Sequence, residues 1–199
     1  MQTTPADKTG LTNGQYGALA QVILNLSSTS RIGFTYINAY TPFDTLTPGN
    51  EFNLTATGSN LSNSNFGVPV SVNAYGISGT FQLSPNLALG GWVGYANHRY
   101  IGRGEGDVWN WAATIAFPDL FKKGNLGGLL VGQEPKLTST SGNIGQRDRD
   151  SSLHIEAFYR HRINDNIAVT PGVIWITNPN FDTNNQDAIV GVVRTVFFF

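Results

Sequence analysis

The stretch Ser151–Asn180, SSLHIEAFYRHRINDNIAVTPGVIWITNPN, decides the fold. Leu153, Ile155, Ala157 and Tyr159 alternate with His154, Glu156, Phe158, Arg160 and Arg162. A period of two belongs to a β-strand, whose successive side chains point to opposite faces. Turn residues at Asn164–Asn166 interrupt the pattern, and a second alternating run covers Ile167–Thr177. This hairpin has one apolar face and one face that holds its charges.

The same alternation recurs outward from this hairpin. It predicts nine strands, at Tyr16–Leu26, Arg31–Tyr40, Ser71–Leu83, Leu87–Asn97, Asp107–Phe117, Asn125–Gln133, Ser151–Arg162, Ile167–Thr177 and Asp187–Phe199. Short connections (Ser27–Ser30, Ser84–Asn86, Pro118–Gly124, Asn164–Asn166) alternate with longer ones (Thr41–Val70, His98–Gly106, Glu134–Asp150, Asn178–Gln186). An up-and-down antiparallel sheet with tight turns at one end and loops at the other has this rhythm. The strands are also long. Soluble strands average about 5–6 residues, whereas a tilted strand needs about 9–11 to span a bilayer.

Composition agrees. Only 13% of residues are charged and 12% are aromatic, and the charged share is about half that of an ordinary soluble domain. No charge lies between Lys8 and Arg31, or between Glu51 and Arg99. A formal net charge of −1 argues against a nucleic-acid partner. With no cysteine, thiolate metal sites and disulfides are excluded. No apolar run reaches the 18 residues of a membrane helix. The fold expected is therefore all-β, a transmembrane up-and-down antiparallel β-barrel.

Charged side chains assign the faces, because an arginine facing mid-membrane lipid costs roughly 2–4 kcal/mol. The face of Arg194 in the last strand, with Val190, Val192, Val196 and Phe198, is expected to line the lumen. So is the face of His154, Glu156, Phe158, Arg160 and Arg162. Trp109, Trp111 and Phe117, together with Trp175, are expected on the lipid face as parts of interfacial girdles.

Three further runs carry a resemblance: DVWNWAATIAFPDLFKKGNLGGLLVGQEPK (Asp107–Lys136), the ending VGVVRTVFFF (Val190–Phe199) and GTFQLSPNLALGGWVGYAN (Gly79–Asn97). With the opening stretch, they resemble the C-terminal part of cyanobacterial outer-membrane porins of the OprB-like carbohydrate-selective porin family. The resemblance implies an outer-membrane channel, usually homotrimeric, that passes sugars or inorganic ions; some members are linked to iron uptake. It also implies that Phe199 is a signal read by the outer-membrane assembly machinery. Outer-membrane lipid, small hydrophilic solutes and that machinery are thus the implied partners, and the full barrel would have roughly 16 strands.

The family's signal peptide, cell-wall-binding domain and first barrel strands have no counterpart in the sequence. Nine strands, an odd number, agree with a C-terminal barrel portion at 16–199 preceded by a polar segment, 1–15, left from an extracellular loop.

Each candidate residue has a competing structural reading. Arg160, Arg162, Arg194, Glu156 and His154 would set the pore's field, or brace its wall by pairing with one another. The run Arg147–Asp148–Arg149–Asp150 would form part of a loop constriction, or remain a solvated tip or rim salt-bridge network. Trp92 and Phe158 would stack on sugar rings, or pack against the glycines near Trp92 (Gly90, Gly91 and Gly94).

No catalytic group, metal site or cofactor is expected. His98, His154 and His161 lack metal-ligand spacing, and Ser151 and Ser152 near His154 do not make a triad. Two other functions stay open: a structural barrel anchoring the envelope, and a soluble all-β binding module.

Overall fold

The computed structural model describes residues 16–42 and 57–198. Segment 1–15 and Phe199, both given roles above, lie outside the described residues. Nine strands form one antiparallel sheet in the order β1 to β9. They are β1 (Tyr16–Asn25), β2 (Ser30–Thr41), β3 (Val70–Ser84), β4 (Leu87–Tyr100), β5 (Gly104–Pro118), β6 (Leu126–Thr140), β7 (His154–Arg162), β8 (Ile167–Ile176) and β9 (Ala188–Phe197). Every strand pairs with its neighbour in sequence, so the meander is complete and β1 and β9 are the edges.

The register keeps one set of side chains together across the sheet, because directly paired residues share a face. Phe34, Ile77, Val93 and Trp111 form one cross-strand row, and Ala157, Val173 and Gly191 continue the same face. The opposite face carries Arg31, Thr114, Glu156, Arg160 and Arg194. The first is called outer and the second inner. All the inward and outward assignments made from sequence fall on these two faces.

An aromatic row marks a level on the outer face. Tyr36 and Tyr75 lie 5.2 Å apart between ring centroids, Tyr75 and Tyr95 6.3 Å, and Tyr95 and Trp109 4.8 Å. Just beyond it, toward the longer loops, runs a polar row. Tyr36 donates to Asn73 at 2.8 Å, Tyr95 to Asp107 at 2.7 Å, and Ser139 to Asp107 at 2.6 Å. Phe117 lies eight residues from Trp109 on β5, roughly 26 Å along a strand. No Asp, Glu, Lys or Arg falls on the outer face between these levels. Its apolar residues are widely exposed: Ile77, Val93, Leu129 and Val173 all face outward without a protein neighbour over them.

Two sequence readings are corrected by the strand ends. The expected loop His98–Gly106 is a tight turn, Ile101–Arg103, and β6 continues through Pro135 to Thr140 rather than stopping at Gln133. Strict alternation of connection length therefore fails at β4–β5. The extension of β6 runs through a bulge: Trp109 pairs with Lys136 and Trp111 with Gln133, so Glu134 and Pro135 together oppose Asn110. A proline has no N–H to give to a ladder, and a bulge is where a strand tolerates one. The extra residue also resets the alternation. Leu129 and Val131 face outward, whereas Leu137 pairs with Val108 on the inner face and is fully buried.

The face assignment predicts a position-dependent cost. In the full-length protein in lipid vesicles, Ile77→Arg should lower unfolding stability by about 2–4 kcal/mol. The adjacent Ser78→Arg, on the inner face, should cost clearly less. Equal costs in denaturant titrations would show that both faces meet the same medium.

Candidate functional site

The inner face has two parts, divided by height along the strands. Toward the longer loops it is apolar: Val70, Val72 and Tyr100 are buried, with Phe66, Val68, Ala74 and Ala96 packed against them. The loop carrying residues 57–69 folds over this patch, with Phe66 edge-on to Tyr100 at 5.0 Å between centroids. Water would otherwise meet these side chains, so their burial drives the loop onto the sheet.

Hydrogen bonds then tie three loops together. Ser59 Oγ donates to Asp148 at 2.5 Å, and the Leu137 N–H donates to the same carboxylate at 2.7 Å. The Ser59 N–H donates to the Pro135 carbonyl at 3.0 Å. The Asn60 N–H reaches Asn180 at 2.7 Å, and the Thr183 N–H and hydroxyl both donate to Asp150 at 3.0 Å. Asn180 belongs to a single turn of 3-10 helix, Pro179–Phe181, in the β8–β9 connection. Lys136 Nζ lies 5.5 Å from the centre of the buried Phe181 ring.

The Arg147–Asp150 run therefore divides by charge. Asp148 is 7% exposed and not a solvated tip. Asp150 is held by Thr183, while Arg147 and Arg149 are exposed. No ion pair forms within the run. Burial pushes the Asp148 carboxyl above its usual range, against the pull of its two donors. The Thr183 hydrogen bonds hold Asp150 below that range.

Below the apolar patch the inner face is open and carries charges along β7, from His154 at its loop end to Arg162 at its turn end. His154 Nδ1 lies 3.4 Å from Glu134 and its Nε2 lies 3.7 Å from Glu156, so the histidine sits between two carboxylates. Glu134 belongs to this cluster because β6 continues past Gln133 through the bulge, where the sequence pattern predicts a loop. Arg162 contacts Asp165 at 3.2 Å in the exposed β7–β8 turn. Arg160 and Arg194 make no ion pair or side-chain hydrogen bond among the described residues. Of the five charged candidates, three pair locally and two remain free.

The aromatic candidates separate in the same way. Phe158 lies flat across Gly128, where an added Cβ would collide with its ring, so it fills the gap that the glycine leaves. Trp92 remains 46% exposed. Asn110 and Thr114, not Trp92, occupy the space over Gly94 and Gly90. Trp92 stands in an open inner groove with Arg31, Gln21, Ser78, Thr80 and Thr114 along its lining.

Trp109, Trp111 and Trp175 are exposed on the outer face and Phe117 is half-buried there. Trp175 Nε1 donates to Asp187 at 2.9 Å. Sequence reading missed Tyr36, Tyr75 and Tyr95, although each sits at an outer position of its strand; the signal was a tyrosine at matching heights in three neighbours.

The two loop aspartates predict opposite pH responses. A carboxyl whose folded pKa is raised favours the folded loop at low pH and loses that contribution as pH rises above its ordinary value of 3.8. A lowered one contributes above 3.8 and loses its contribution as pH falls. After correction for intrinsic exchange, protection of the Leu137 amide should fall as pH rises through the acidic range, and Asp148→Asn should flatten that trend. Protection of the Thr183 amide should change in the opposite sense and flatten in Asp150→Asn.

Comparison with known proteins places this geometry. Residues 1–199 match the carbohydrate-selective porin, OprB family. An uncharacterised protein of Nostoc sp. is 34% identical over 98% of this chain and 34% of its own length. One of Synechocystis sp. is 33% identical over the whole chain and 40% of its own length. The chain thus spans about a third to two-fifths of these relatives. No solved structure matches it. A nine-stranded meander with an uncharged outer band and a charged inner face, matched along its whole length by one family, is a member of the OprB carbohydrate-selective porin family.

Proposed function

We propose that this sheet is part of the wall of an outer-membrane channel through which small hydrophilic solutes, carbohydrates or inorganic ions, diffuse passively. The carrying observation is the separation of faces: a charge-free outer band between aromatic levels, backed by an inner face that carries Glu156, Arg160 and Arg194. Lipid accepts the first and water the second. Selectivity would come from pore width and lumen charge, with no covalent chemistry.

The edges of β1 and β9 support a larger barrel. Unpaired strand edges cannot sit in lipid, where no water satisfies their N–H and C=O groups. The remaining length of the longer relatives is ample for the strands that would pair with them. A barrel of roughly 16 strands, assembled as a homotrimer by the outer-membrane machinery, fits the family expectation.

Within that pore, Trp92 is the sugar-stacking residue and Phe158 is part of the wall. Reconstitution of the full-length protein in planar bilayers tests both. Trp92→Ala should weaken sugar block of the ion current by two- to tenfold, the loss of about 0.5–1.5 kcal/mol of aromatic contact. Phe158→Ala should lower stability and leave sugar block unchanged. An equal effect of both on sugar block would remove Trp92's special role, and absence of any conductance would remove the channel itself.

A further inference from the structure

Arg160 and Arg194 occupy one cross-strand row of the inner face. Thr170 pairs with Arg194, and the β7–β8 register on either side, Phe158 with Gly172 and His161 with Val169, sets Thr170 opposite Arg160. Two strand spacings, roughly 10 Å, separate the two arginine backbones, with the Thr170 hydroxyl between them. All three side chains lack a hydrogen-bond or ion-pair partner among the described residues. Both arginines are exposed and Thr170 is half-buried.

The surroundings reinforce the charge. Around the shorter turns stand Arg31, Lys122, Lys123 and Arg162 besides this pair, against Asp119 and Asp165 alone among the described residues. Asp119 accepts the Gly124 N–H at 2.7 Å, and Asp165 contacts Arg162. The carboxylates Glu134 and Glu156 are turned to His154, nearer the longer loops. Two unpaired guanidinium forks flanking a hydroxyl, in a locally positive field, are donors without an acceptor. Guanidinium forks match the oxygens of phosphate-like anions two at a time.

We infer that Arg160, Thr170 and Arg194 form a binding site for a small tetrahedral oxyanion on the channel wall. The inference rests on the channel reading, since it takes the inner face to be a water-filled lumen. It goes further by naming a solute class, oxyanions of the phosphate type, and the residues that would detain them in transit.

Inorganic phosphate is the probe, with the full-length protein in planar bilayers and chloride as the carrier ion. Phosphate should reduce chloride current saturably. Arg160→Gln and Arg194→Gln should each weaken that block by about tenfold, as expected for losing one charge-assisted contact. The double Arg160→Lys/Arg194→Lys variant keeps the charge and loses the forks, so it should also bind phosphate more weakly.

Arg99→Gln removes an equal charge from the outer face and should leave the block unchanged. Phosphate-31 line broadening of the detergent-refolded protein reads the site independently of conduction, and should vanish in the double glutamine variant. Unsaturable block, unaltered block in the glutamine variants, or a lysine variant equal to the unsubstituted protein would overturn the site. Failure of the unsubstituted protein to conduct chloride would instead overturn the channel reading, while the line broadening still decides the site.

Discussion

Pairing of the backbone is the constraint on which everything else depends. In a hydrocarbon medium an unpaired N–H or C=O costs several kcal/mol, so a strand can cross only when both neighbours hydrogen-bond to it along its length. A simple meander meets that demand with the shortest connections. Once each strand is locked to the next, the period of two leaves one free variable per strand, its register, and a slip of one residue would send every apolar side chain to the wrong face. The tyrosine and tryptophan row across β2 to β5 is the visible result of three registers agreeing.

The bulge opposite Asn110 shows what happens where lipid stops setting the rule. Up to Gln133 the odd-numbered residues of β6 face outward, as the apolar band requires. Past Glu134 and Pro135 the alternation is reset, and Leu137 turns inward beneath the loops. Two demands meet at this point: an apolar outer surface below, an apolar inner surface above. One extra residue satisfies both. The Pro135 carbonyl also accepts the Ser59 N–H, so the irregularity doubles as an anchor for the neighbouring loop.

The nine strands and their faces were legible in the sequence because lipid imposes a binary pattern that needs no knowledge of partners. The opening stretch shows this well: His154, Glu156, Arg160 and Arg162 share the inner face in the folded sheet, as their spacing requires. The strand extensions were not legible. Pro135 reads as a terminator, and only its bulge, a property of two strands together, makes it tolerable. Nor could Glu134 be placed beside His154 while β6 was ended at Gln133. Trp92 and Phe158 look alike in sequence, both aromatic and both near glycines. They differ because Gly128, on the strand paired with Phe158, leaves a hollow for its ring, while the space over Gly90 and Gly94 is taken by β5.

The charge that a solute would meet on the inner face follows by subtraction. Formal charges are nearly balanced over the chain, but the fold consumes them unequally. Asp148 and Asp150 are used by the loops, Asp119 by a turn, and Glu134 and Glu156 flank a histidine. Among the cations, Arg162 is held by Asp165 and Lys136 lies against Phe181. Carboxylates are the more heavily committed because they accept from backbone N–H groups, which every loop has in surplus, whereas guanidinium groups need acceptors that strands have already used. Among the described residues the fold thereby leaves the guanidinium groups of Arg160 and Arg194 without a partner, although the formal count is nearly balanced.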